Sequence, residues 1–160
     1  MDENRLTKLD DIKSRIFTIR GVQVMLDSDL AKLYAVETKV LNQAVKRNAE
    51  RFPEKFHFQL MRNEYSSLRS QFVTLEYSGA KTGRHRKYLP FAFTEQGVAM
   101  LSAVLKSATA VSISIQIMEA FVAMRHFIAS NEQMFHRIDF LEKWRLETDP
   151  KIEKILTALE

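Results

Sequence analysis

Basic and amide side chains recur along one side of a short segment near residue 40. They are Thr38, Lys39, Asn42, Gln43, Lys46 and Arg47, followed by Arg51. Amides can pair with base edges in a major groove, and cations can contact phosphate oxygens. Residue types of this kind on one face predict a DNA-contacting helix over residues 38–48. The same types also populate the solvated outer face of an ordinary helical hairpin, and this pattern alone leaves that interpretation open.

The segment around this face has the spacing of two short helices joined by a tight corner. Apolar residues recur three and four apart between positions 30 and 34, behind Asp27 and Ser28 as capping candidates. The pattern is interrupted at Ala35 and resumes after Thr38, which is placed to begin the second helix. Glycine is common at such a corner because left-handed backbone angles are favourable for it, and here the residue is alanine. The small Ala31 permits a close crossing, and the wedge between the helices is predicted to contain Leu30, Tyr34, Val36, Leu41 and Ala44.

A second basic cluster lies in the connection SGAKTGRHRK, residues 78–87. Its cations are Lys81, Arg84, Arg86 and Lys87. Aromatic and β-branched residues at 72–77 and 88–94 predict a strand on each side of it. A basic loop between strands resembles the wing of winged-helix proteins, which contacts the DNA backbone or minor groove. A charged loop that serves only solubility is the alternative interpretation.

Charge is concentrated in the middle of the chain. The net charge of the 160 residues is +4, whereas residues 31–93 contain 12 Lys and Arg against 5 Asp and Glu, a net of +7. Such a segment suits a polyanion because each neutralised phosphate releases condensed counterions. A solvated basic patch without a partner is the alternative, and its coincidence with the helical hairpin favours double-stranded DNA.

Composition indicates one folded domain with an appendage. The chain is 46% hydrophobic and 28% charged, which is typical of globular proteins. It contains no cysteine, so disulfides and thiolate metal sites are excluded, and a reducing cytoplasm is the expected location. We expect no membrane segment, because no apolar run reaches the roughly eighteen residues that a span requires, and the polar amino terminus does not resemble a secretory signal.

Local patterns predict the remaining elements and an α+β fold. Residues 1–15 form a polar tail that is loose or weakly helical, and residues 16–26 form a β-hairpin that turns at Arg20-Gly21. A half-buried strand spans 56–60, and a helix begins at Asn63. We therefore expect a small sheet packed with a helix-turn-helix-like pair and a long carboxy-terminal helix.

The carboxy-terminal third is helical with one ambiguity. Thr94-Glu95 caps a helix, whereas residues 111–117 alternate like a strand and residues 117–128 step like a helix. The absence of Gly and Pro favours one long helix from about Thr109. Residues 129–160 form a helical extension with an apolar seam at Met134, Ile138 and Leu141, which is a candidate surface for a homodimer. The longer seam from Ile117 to Leu141 is a candidate surface for capture of a repressor protein.

Residue patterns for catalysis are missing from the sequence. There is no glycine-rich phosphate loop, nucleophile elbow or paired-histidine helix. The four histidines are scattered singly, and the acids of the middle segment are not adjacent, so no metal site or metal-dependent nuclease site is expected. The prediction is a binding protein without cofactor, metal or enzymatic activity.

Several segments of the chain resemble the KilA-N/Bro-N superfamily. They are IRGVQVMLDSDLAKLYAVETKVLNQAVKRNAERFPEKFHFQL, LRSQ, RKYLPFAFTEQGVAMLSAVL and SIQIMEAFVAMR. The nearest branch is the domain named for the amino-terminal part of a phage sixth open reading frame, and the resemblance covers about residues 16–125. It implies a DNA-binding domain over residues 16–128, of the kind present in phage antirepressors and prophage transcription regulators. It also favours a helix over a strand for residues 112–125.

Overall fold

The protein is described by a computed structural model that covers residues 2–73, 88–134, 136–141, 144, 154, 155 and 158. Its elements are, in order, α1 (Asp2–Lys13), β1 (Phe17–Ile19), β2 (Val22–Leu26), α2 (Asp27–Tyr34), α3 (Thr38–Arg47), a 3-10 turn (Ala49–Arg51), β3 (His57–Gln59), α4 (Arg62–Val73), β4 (Phe91–Thr94), α5 (Glu95–Leu105) and α6 (Ala108–Ser130). The chain divides into two compact units, Met1–Phe121 and Val122–Glu160. The predicted α+β class is confirmed.

The four described strands form one antiparallel sheet in the order β1-β2-β4-β3. The predicted hairpin is present as β1 and β2. Its turn residues Arg20 and Gly21 both have positive φ, 55° and 74°, which is the signature of a type I′ turn. Arg20 also donates two hydrogen bonds of 3.0 Å to the Glu64 carboxylate on α4. These bonds, with one from the Met61 N–H, hold the pKa of Glu64 below its ordinary value.

The strand predicted over residues 72–77 is wrong where the structure describes it. Phe72 and Val73 instead end helix α4, since adding residues to an existing helix is favourable even for β-preferring types. That helix begins at Arg62, so Asn63 lies inside it and is not its cap. Strand β4 pairs with β2 and β3, which are distant in sequence. The rest of the predicted strand and the basic loop 78–87 lie outside the described residues.

The sheet has a buried side chain layer on each face. On one face, α4 covers a cluster formed by Ile19, Val24, Leu26, Leu60, Leu68 and Ala92. Side chains alternate along a strand, so Met25 and its cross-strand partner Phe93 point to the other face. Both are fully buried there, and helices α2 and α5 contact β4 on this part of the fold. The α2–α3 pair is therefore supported by the buried core on this face of the sheet.

Helices α5 and α6 confirm the predictions for this part of the chain. Thr94 caps α5, and its Oγ1 accepts a hydrogen bond of 3.3 Å from the Gly97 N–H. Residues 108–130 form one helix, so the alternation at 111–117 did not indicate a strand. The hydroxyl groups of Tyr34 and Ser114 are buried and lie 2.6 Å apart, which connects α2 with α6. Burial raises the pKa of Tyr34.

Helix α6 corrects one expectation about hydropathy. Its 23 residues are long and apolar enough to cross a membrane by length and composition. The core helix of a water-soluble protein meets the same criteria, and in the first unit α6 buries Ala110, Ile117 and Phe121. The criterion alone therefore does not assign a membrane role.

The second unit, Val122–Glu160, contains the end of α6 and further helical residues at 132–134, 136–141, 144, 154, 155 and 158. Met134, Ile138 and Leu141 of the predicted seam are between 45% and 58% exposed. The seam is thus presented on the surface of this unit.

Candidate nucleic-acid interface

The corner between α2 and α3 is closed by two backbone hydrogen bonds. The Val36 N–H donates to the Ala31 carbonyl at 3.0 Å, and the Ala35 N–H donates to the Lys32 carbonyl at 3.2 Å. Ala35 is left-handed, with φ 56° and ψ 43°. This pair of bonds with a left-handed residue is a Schellman motif, in which glycine is usual. The predicted helical corner is confirmed, with alanine in the strained position.

The wedge beneath the corner holds α3 in place. Leu30, Tyr34 and Leu41 are buried as predicted, and Val36 and Ala44 are half-buried. Ala31 is 2% exposed, and α2 and α3 are in extensive contact. Leu41 and Val45 form the buried side of α3, so its opposite side faces outward.

The outward side of α3 is cationic. Lys39, Gln43 and Lys46 are exposed at positions i, i+4 and i+7, and Arg47 is exposed beside them. From residue 38 to residue 47 the helix contains three cations and no acid. In the described part of the chain, none of these cations forms an ion pair. The helix therefore presents unneutralised positive charge together with one amide.

The other predicted contacts lie at the edges of this surface or outside it. Thr38 is half-buried at the start of α3, and Arg51 is exposed in the 3-10 turn that follows α3. Glu50 is exposed next to Arg51, so that part of the surface is less positive. The predicted loop cations Lys81, Arg84, Arg86 and Lys87 lie outside the described residues.

Asn42 is half-buried, and its amide is turned inward. Its Nδ2 donates a hydrogen bond of 2.9 Å to Oδ2 of Asp27, and its Oδ1 is buried with no hydrogen-bond partner in the described structure. Asp27 is itself 3% exposed. The structure thus brings Lys39, Gln43, Lys46 and Arg47 together on one exposed face and separates Asn42 from it.

The sequence did not reveal two buried polar groups of this region, the carboxylate of Asp27 and the Nε2 atom of His57. Asp27 was predicted as a helix cap, but the cap position is Leu26, and Asp27 Oδ1 accepts a bond of 2.8 Å from the neighbouring Ser28 N–H. His57 on β3 stacks on Phe91 with ring centres 4.8 Å apart, and its Nε2 is buried without a hydrogen bond to any described residue. Both residues are separated from Asn42 by fifteen positions, so no local periodicity connects them.

A family model gives the identity of the domain. The ORF6N domain model matches residues 14–104, which is more than half of the chain. The chain belongs to the ORF6N family. The match includes the hairpin β1–β2, the α2–α3 pair, β4 and nearly all of α5, and it agrees with the resemblance seen in the sequence. ORF6N is a phage-type domain. No curated protein and no solved structure matches the chain.

Within the described residues of this ORF6N-domain protein, no group of three His, Cys, Asp or Glu side chains is arranged to hold a metal ion. The open cavity between β1 and α4 has a volume of about 470 Å³ and is lined by Phe17, Thr18, Arg20, Glu64 and Ser67, among others. Because Arg20 and Glu64 pair with each other there, the cavity does not present a free charge to a ligand.

Replacing Ala35 by glycine should stabilise the ORF6N domain by about 0.5–1 kcal/mol. A left-handed angle costs a non-glycine residue about 1–2 kcal/mol, and the added freedom of glycine in the unfolded chain offsets part of the gain. Urea denaturation of Ala35→Gly measures the difference. Ala99→Gly, on the exposed side of α5, is the matched control and should destabilise by about 0.5–1 kcal/mol. Equal signs for the two variants would contradict the assigned role of Ala35.

Stability of the ORF6N domain should fall as the pH drops below about 6.5, the ordinary pKa of histidine. Burial lowers the pKa of His57, and the nearby Asp27 carboxylate opposes this effect only partly. The unfolded chain therefore binds this proton at a higher pH than the folded chain, so stability is lost from about 6.5 down to the lower folded pKa. His57→Phe keeps an aromatic ring against Phe91 and should flatten the profile in this range. An unchanged profile in urea titrations at several pH values would refute the assignment.

Proposed function

We propose that this ORF6N-domain protein binds double-stranded DNA by placing α3 in the major groove. The observation that supports the proposal is the exposed face of α3, with three cations, one amide and no acid. An α-helix with its side chains is about 10–12 Å across, which suits insertion into a major groove about 12 Å wide. Lys39, Lys46 and Arg47 would contact phosphates or guanine edges, and Gln43 would contact a base edge.

Neighbouring cations extend the proposed interface. Arg51 follows α3 and is exposed, so it would contact the phosphate backbone beside the groove. The loop cations at 81, 84, 86 and 87 are proposed from the sequence alone as a wing-like backbone contact. The high density of positive charge in residues 31–93 supports both assignments.

Selection from a pool of random duplexes at two salt concentrations tests this function. If α3 reads bases, a consensus should be retained at both concentrations, although the overall affinity falls steeply with salt. Recovery of duplexes without a consensus would indicate attraction by charge alone. The absence of any salt-sensitive duplex binding would overturn the proposal.

The biological role proposed from this activity is transcriptional control in a phage or prophage, as a regulator or an antirepressor. The ORF6N match supports a phage-associated family, and the proposed site of action is DNA in the bacterial cytoplasm. The role is binding and not catalysis, and it requires no cofactor.

A second candidate function concerns the unit Val122–Glu160. Its exposed apolar seam at Met134, Ile138 and Leu141 favours a protein partner, because three apolar side chains at spacings of four and three form a helix-pairing surface. A homodimer is one partner, and capture of a repressor protein is the alternative. Sedimentation of the full chain should show a dimer that Ile138→Asp dissociates. If the wild type is instead a monomer and binds a purified phage repressor, capture of a repressor is favoured.

A further inference from the structure

A buried carboxylate lies directly beneath the face of α3 that is proposed to contact DNA. Asp27 is the first residue of α2 and is 3% exposed. Its two oxygens accept separate hydrogen bonds, from the Ser28 N–H at 2.8 Å and from Asn42 Nδ2 at 2.9 Å. The second bond joins the start of α2 to the middle of α3, so Asp27 connects the two helices at a point away from their corner.

The orientation of the Asn42 amide excludes direct base contact while this bond persists. Nδ2 is engaged by Asp27, and Oδ1 is buried away from solvent. Asn42 is adjacent to Gln43 in sequence and lies one turn before Lys46, both of which are exposed. Lys46 shares this side of the helix with Asn42, so it is the bond to Asp27, and not the helical spacing, that turns the Asn42 amide inward.

The bond attaches α3 to α2 at a second point. A buried carboxylate requires donors because an ion without partners is costly in a protein interior, and a hydrogen bond to an ionised group is about twice as strong as a neutral one. The Schellman corner at Ala35 fixes one end of α3, and the Asp27–Asn42 bond fixes a second point one to two turns along. Two separated attachments determine both the angle and the rotation of a helix.

We propose that Asp27 is a positioning residue that sets the angle and rotation of α3 through Asn42. This inference rests on the proposed DNA binding by α3. It reassigns Asn42, predicted from the sequence as a base contact, to the support of that helix. Gln43 is then the amide of α3 that reads bases.

Amide hydrogen exchange and duplex affinity of Asn42→Ala and Gln43→Ala test the proposal together. In Asn42→Ala, the amides of α3 should lose about tenfold more protection than those of β2 and β4, because one charge-assisted hydrogen bond is lost locally. Its affinity for a duplex should fall about tenfold, with a smaller dependence on salt because a misaligned helix reaches fewer phosphates. Gln43→Ala removes a neighbouring exposed amide and should weaken duplex binding without changing exchange in α3.

Two results would overturn the proposal. One is unchanged α3 protection in Asn42→Ala, which together with weaker duplex binding would make Asn42 a direct contact. The other is a loss of α3 protection with unchanged duplex affinity. Asp27→Asn keeps the size of the side chain and the acceptor for Ser28, but its bond to the Asn42 amide becomes neutral. If Asn42→Ala does not fold, Asp27→Asn should show the same pattern with a smaller loss. Failure of the wild type to bind duplex DNA would refute the proposed function separately, and exchange in α3 would still decide the role of Asp27.

Discussion

Gly97→Ala should lower the free energy of unfolding by about 2–3 kcal/mol, as measured by urea denaturation. Gly97 is buried in the first turn of α5, and a Cβ at this position would overlap the carbonyl oxygen of Phe56 and lie 3.2 Å from its carbonyl carbon. Those atoms are backbone, so they cannot rotate away. The same Phe56 oxygen accepts a hydrogen bond of 3.0 Å from the Thr94 N–H, so a shift would disturb the junction between β4 and α5.

Gly21→Ala is the matched control for this prediction. Gly21 has a φ of 74° but has no atom within 4 Å of a built Cβ. Alanine there should cost only the strain of a left-handed residue, about 1 kcal/mol. A loss at Gly97 no larger than the loss at Gly21 would show that the contact with Phe56 is easily relieved.

Lys46→Ala combined with Arg47→Ala should weaken duplex binding by about 10- to 100-fold at moderate salt. Each cation that contacts a phosphate contributes about 0.9 to the slope of log affinity against log salt, so the slope should fall by about 2. Both side chains are exposed at the end of α3, and their removal leaves the buried residues Leu41 and Val45 untouched. The free energy of unfolding should therefore change little.

Lys8→Ala combined with Arg62→Ala is the control with the same change in charge. Both residues are exposed, and they lie on α1 and α4, neither of which is in substantial contact with α3. This variant should retain most of the affinity and most of the salt slope. Equal losses in the two double variants would mean that net charge, and not the face of α3, governs binding.

Local patterns in the sequence predicted those parts of the fold that are local in origin. Arg20-Gly21 between apolar runs indicated the hairpin, and Thr94-Glu95 indicated the start of α5. The pairing of β4 with β2 was not predictable, because these strands are far apart in the sequence and only the folded chain brings them together. Phe72 was misjudged for a related reason, since an aromatic residue in an established helix has the same local appearance as one in a strand.

The exposed face of the candidate site was predicted from the sequence, and the polar contact beneath it was not. Helical spacing identified Lys39, Gln43 and Lys46 as one face, and the structure exposes all three. The same spacing placed Asn42 with them, because Asn42 lies only about 60° around the helix axis from Lys39. Only the fold shows that the carboxylate of Asp27 lies within 2.9 Å of it.

Contact between the exposed face of α3 and duplex DNA is tested most directly by photocrosslinking from single cysteines. The chain has no cysteine, so Val40→Cys and Ser67→Cys each create one labelling site, the first on the exposed side of α3 and the second on the exposed side of α4. Neither side chain is one of the proposed DNA contacts. The proposal predicts crosslinks to duplex DNA from position 40 that are lost at high salt, and few from position 67. Crosslinks from position 67 with none from position 40 would contradict it.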